Sequence, residues 1–159
     1  MLAIKTARSA LLAAGLAVVA CAPPELEGFG GGPSIEIVYP SPADGSLLLD
    51  EDCRYRDLVV VHVENFQLGP VDPERLSPDR GHWHINVIGD ANITMVTDGL
   101  PYLRYVAGPF TVGATGETEV GFFVDLRDDL HQIPEGADPD LVEDEVRVTL
   151  TEPAAGACQ

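Results

Sequence analysis

Two histidines, His82 and His84, flank the chain's single tryptophan in the run Gly81-His82-Trp83-His84-Ile85-Asn86-Val87-Ile88. In a β-strand, side chains alternate between faces, so Trp83, Ile85 and Val87 share one face and His82, His84 and Asn86 the other. Histidines at i and i+2 lie roughly 6 to 7 Å apart at Cα, close enough for both rings to reach one metal ion. Neutral imidazole suits zinc and copper, so these residue types at this spacing point to a transition-metal site. The same residues also read as two ordinary surface histidines, or as histidines hydrogen-bonded to a carboxylate.

Other chemistry has weaker support. Residues 128–145 form an acidic stretch of the kind that supplies oxygen ligands to Ca²⁺, but no Asp-x-Asp-x-Asp-Gly spacing is present, and a solvated acidic loop is the expectation. Gly-x-Ser-x-Gly is also missing, so no nucleophile is indicated and the chain is read as a non-enzyme. Met95 stands apart from any methionine cluster such as copper(I) carriers use.

The elements that must position the histidines are all strands. Residues 35–39 alternate well enough for a first strand, stopped by the turn residues of 40–45, and 46–49 give a short continuation. Residues 58–66 are β-branched and long enough for a central strand. Both of its faces begin apolar, so parity does not settle which is core, and His62 is expected to be a buried, hydrogen-bonded histidine. Residues 67–80 hold three prolines and read as a loop. The histidine strand then turns at Gly89-Asp90 into a return strand over 91–97. Short strands are expected over 102–106 and 110–112, a clear alternation covers 118–126, and 145–150 is the last strand. No stretch has sustained helical periodicity. About seven to nine short strands with turn signals between them indicate an all-β chain, an antiparallel β-sandwich.

The first twenty residues read as a secretory signal, with Lys5 and Arg8 ahead of an apolar run from 10 to 20 that is too short to span a bilayer. The ending Val18-Val19-Ala20-Cys21 resembles the lipobox of bacterial lipoproteins. That resemblance implies cleavage before Cys21, acylation of its thiol, and a domain held at a membrane by lipid while its body stays in water. Ala22 after Cys21 favours the outer membrane in a cell that has one. Residues 21–34 then form a Pro/Gly-rich tether, and 35–159 the domain.

Removing the leader takes away two of nine basic residues and none of the 26 acidic ones, so the mature charge is 7 − 26 = −19. Such a surface repels nucleic acid and excludes that class of partner, and it favours a monomer. With Cys21 acylated, Cys53 and Cys158 remain as a pair in an oxidising compartment, and a disulfide between them is expected.

Trp83 in the third main strand, together with the strand-Pro-Asp-Gly opening of residues 35–45, resembles immunoglobulin-like and fibronectin-III-like domains. That topology implies that the strands over 82–88 and 118–126 are antiparallel neighbours in one sheet. With Trp83 and Phe122 inward, His82, His84 and Asp125 then face outward near one end, and His131 hangs from the adjoining loop. The same topology brings Cys53 and Cys158 together at the opposite end. Gly81-His82-Trp83-His84, followed later by Asp125-Leu126-Arg127-Asp128-Asp129-Leu130-His131, also resembles a group of exported bacterial β-sandwich domains of unsettled activity. Its signature histidines fall on His82, His84 and His131. His-x-His on a sandwich is similar to copper/zinc superoxide dismutases as well, but their further ligands have no counterparts here.

Two functions are thus expected. The first is a lipid-anchored immunoglobulin-like module of the cell envelope, structural or binding an envelope protein, without catalysis. The second is a zinc- or copper-binding envelope lipoprotein that uses His82, His84 and His131, with Asp125 as fourth ligand or as a partner of one of them.

Overall fold

The computed structural model describes residues 31–159 except 72, 73, 75 and 79; the expected signal segment, Cys21 and most of the expected tether lie outside the described residues. The described chain forms one compact unit. Nine strands are present among these residues: β1 (Ser34–Tyr39), β2 (Leu47–Leu48), β3 (Tyr55–Glu64), β4 (Gln67–Leu68), β5 (Arg80–Val87), β6 (Thr94–Val96), β7 (Tyr102–Ala107), β8 (Glu117–Asp128) and β9 (Glu143–Thr151). Two single-turn 3₁₀ segments, Pro42–Asp44 and Pro139–Leu141, are the only helical pieces among them.

The strands make two sheets. One has the order β1-β3-β7; the other is six-stranded, β2-β9-β8-β5-β4, with β6 also paired to β5. The protein is a β-sandwich, β1-β3-β7 facing β9-β8-β5, and it is antiparallel except for the short β2–β9 and β4–β5 pairs. The core is the inner face of both sheets. Val59 and Val61 of β3 meet Trp83, Ile85, Phe122, Val124, Leu126 and Leu150 of the other sheet, all nearly or wholly buried. Tyr55 and Tyr105 lean on Phe122 with ring centroids 5.0 and 6.2 Å apart. Trp83 is completely enclosed and spends its indole N–H on the Leu100 carbonyl at 2.9 Å, so the deepest side chain leaves no polar atom orphaned.

Several expectations need correction. His62 is not a core histidine: it stands on the outer face opposite Glu36, with 58% of its side chain exposed and Nε2 3.1 Å from Glu64 Oε1. The reason is parity. Strand β3 begins earlier than expected, at the buried Tyr55, and the odd-numbered set Tyr55, Val59 and Val61 takes the interior. Residues 110–112 are not a strand either. After Gly108, which has φ +98, this segment gives its N–H groups to the disulfide region, Phe110 to the Cys53 carbonyl and Val112 to the Cys158 carbonyl. The acidic stretch from 128 is not wholly solvated, since Asp128 and Asp129 are buried.

Cys53 and Cys158 are disulfide-bonded, with Cα atoms 5.5 Å apart. The bond closes the end of the sandwich where β9 finishes beside the start of β8, with Thr151 opposite Glu117.

Candidate functional site

The histidines are aimed by two strands, β5 and β8, whose register is fixed from the core side. In the antiparallel pairing of β5 and β8, Trp83 lies opposite Leu126 and Ile85 opposite Val124, all four inward and buried. The intervening residues therefore share the outer face: His82 opposite Arg127 and His84 opposite Asp125. Gly81, opposite Asp128, permits the close approach, since a Cβ there would sit 2.0 Å from the Arg127 carbonyl oxygen.

The third histidine arrives on the turn after β8, which one carboxylate organises. Asp128 Oδ1 accepts the N–H groups of Leu130 and Gln132, both at 2.8 Å, while the His131 N–H bonds the Asp128 carbonyl at 3.0 Å. His131 takes the left-handed conformation at φ +60, a cost that the turn's bonds offset. Asp129 ties the turn to β5, its N–H donating to the Arg80 carbonyl and its buried carboxylate lying 3.3 Å from Arg80 Nε. The His131 ring thereby comes over His82, with centroids 4.6 Å apart. His82 is on the outer face by parity yet wholly buried, because this turn covers it.

One ring nitrogen from each of His82, His84 and His131 lies within 4.8 Å of the others. The ring centroids are 4.9 Å apart for His82 and His84, and 5.9 Å for His84 and His131. His82 Nε2 and His84 Nε2 face each other at 3.0 Å. Metal–nitrogen bonds of about 2.0 to 2.1 Å place two ligands of a tetrahedral ion about 3.3 Å apart. The first pair already has that spacing, and the exposed His131 needs a small inward movement to join it.

The electrostatics prepare this cluster for a cation. Burial pushes the His82 pKa down to about 4, helped by the neighbouring His84 and His131 and opposed by Asp129 and Asp125. His82 is thus a neutral imidazole at pH 7, able to ligate through whichever ring nitrogen its single proton leaves free. Asp125 is held as a carboxylate: burial alone would raise its pKa, but the bonds from His84 and Arg127 outweigh that and keep it below the usual range. Arg127 binds Asp125 Oδ2 through both Nε, at 3.0 Å, and Nη2, at 2.6 Å. Asp125 Oδ1 is 2.9 Å from His84 Nδ1. A carboxylate only accepts, so its proximity favours the His84 tautomer protonated on Nδ1, although the contact lacks full hydrogen-bond alignment, and leaves the Nε2 lone pair toward His82. A carboxylate behind a histidine in this way is how metal-ligating imidazoles are oriented in general. Among the described residues His82 Nδ1 has no hydrogen-bonding partner.

The sequence-predicted residues are therefore brought together, His82, His84 and His131 as one group and Asp125 behind His84 rather than beside the three nitrogens. The sequence reading missed Arg127, which locks Asp125, and Asp128, which shapes the turn. It also set Met95 apart, whereas Met95 Sδ lies 3.3 Å from His131 Nε2. The β5–β6 hairpin register held the signal, since it places Met95 opposite His84.

No protein-family model, no curated protein and no solved structure matches the chain. Fold and site together are a two-sheet β-sandwich with a three-imidazole cluster on the outer face of its larger sheet.

Proposed function

We propose that this chain is a metal-binding lipoprotein of the cell envelope, which holds one zinc or copper ion between His82, His84 and His131. The observation that carries the reading is the convergence of three ring nitrogens within 4.8 Å, one of them oriented by a buried carboxylate. Two surface histidines placed by chance have no need of the Arg127–Asp125–His84 relay or of a turn that buries a third imidazole's neighbour. Acylation at Cys21 would hold the domain at the membrane, the outer membrane where there is one, with the tether giving it reach.

The test is equilibrium dialysis of protein made without a histidine tag against zinc and against copper. The parent should take up one ion per chain, and the double variant His82→Ala/His84→Ala should take up none while keeping its β-sheet circular dichroism. Equal uptake by parent and variant, or no uptake by either, would remove the reading. A module that binds an envelope protein is the second reading. It is favoured by the exposed Leu58, Tyr102 and Val106 on the smaller sheet's outer face, and is the one left standing if no metal binds.

A further inference from the structure

Strand β6 adds a sulfur to the three nitrogens. Its register is fixed by Val96, which lies opposite Trp83 and is buried, so the preceding residue, Met95, must face outward. There it is the cross-strand partner of His84, and its Sδ is 3.3 Å from His131 Nε2. Bonds of about 2.0 Å to nitrogen and 2.3 Å to sulfur put two ligands of one tetrahedral ion about 3.5 Å apart. The Met95–His131 separation is thus that of two neighbouring ligands, as the 3.0 Å between His82 and His84 is for two nitrogens. Resting on the three-histidine reading above, we propose that Met95 is the fourth ligand and that the resulting N₃S set makes copper(I) the ion this site selects.

The selectivity follows from ligand softness. A thioether adds little for zinc, which three imidazoles and a water already satisfy, whereas it suits copper(I). The arrangement is graded in depth. His82 is fully buried at the floor and Met95 is half exposed, so sulfur forms the outer side of the site, where an ion enters and leaves. Neither half of the ligand set is built on a long flexible loop: His82, His84 and Met95 stand on the paired strands β5 and β6, and His131 is held by the Asp128 turn.

Met95→Leu keeps the bulk of an exposed side chain and removes only the sulfur, so the fold should be unaffected. Affinities are read anaerobically for copper(I), by competition with bathocuproine disulfonate, and separately for zinc, by competition with a chromophoric zinc chelator. The variant should lose about tenfold or more in copper(I) affinity. Its zinc affinity should stay within about twofold of the parent's. Copper K-edge absorption should show a sulfur scatterer in the parent and none in the variant. Unchanged copper(I) affinity, or a parent spectrum with nitrogen ligands alone, would overturn the assignment and reduce the Met95–His131 approach to a sulfur–aromatic contact. That failure leaves the three-histidine site intact if His82→Ala/His84→Ala still abolishes uptake; absence of any uptake by the parent would instead remove both.

Discussion

Asp125→Asn changes one atom of the site and should invert a histidine. In the parent, Asp125 Oδ2 accepts two bonds from Arg127, at 3.0 and 2.6 Å, and Oδ1 faces His84 Nδ1 at 2.9 Å. An asparagine has one oxygen and one NH₂ to offer to the same two partners. Arg127 can only donate, and its two N–H groups claim the oxygen. The NH₂ is then directed at His84 Nδ1, which can accept only by giving up its proton to Nε2. The nitrogen that should ligate becomes an N–H. Loss of a carboxylate behind a ligating histidine typically costs 10- to 100-fold in metal affinity, about 1.4 to 2.8 kcal/mol. Here the upper half of that range is expected, because tautomer as well as orientation is lost. Competition titration with zinc measures the affinity, and long-range ¹H–¹⁵N correlation of the His84 ring reads the tautomer. A variant with the parent's affinity and the proton still on Nδ1 would refute the reasoning.

Three further outcomes are expected. Trp83→Ala should cost about 3 to 5 kcal/mol in denaturant unfolding, as a large core truncation that also frees the Leu100 carbonyl; a cost below about 1 kcal/mol would mean that the tryptophan is not the centre of the packing. Replacing Cys53 and Cys158 by serine opens a loop with a sequence separation of 105. By the chain-entropy estimate it should lower stability by up to about 4 to 5 kcal/mol, and an unchanged denaturation midpoint would count against a structural role. Cys21→Ser should release the protein from the membrane fraction, and equally firm retention would remove the lipid anchor.

Much of the site was legible because strand parity is a strong constraint. Trp83, Ile85 and Val87 form an apolar set that had to face inward, which fixed His82 and His84 on the other face. The pairing of β5 with β8 then followed from topology, and with it the approach of Asp125 to His84. Parity was undecided where the strand's start was misplaced. Beginning β3 at Leu58 instead of Tyr55 hides the aromatic residue that decides its inner face, so nothing opposes the general expectation that His62 is buried. What stayed hidden was local and three-dimensional. The backbone bonds that Asp128 accepts and the left-handed His131 carry no periodic signal. Met95 looked isolated because its neighbours are contributed by a facing strand and a turn, 11 and 36 residues away in the chain.

The most direct test is anomalous diffraction from crystals of the tag-free protein grown with zinc or copper. One strong peak is predicted, about 2.0 to 2.1 Å from a ring nitrogen of each of His82, His84 and His131, with Asp125 still behind His84 Nδ1. No peak at saturating metal, or a single peak among the carboxylates of the acidic surface with the three imidazoles unoccupied, would contradict the account.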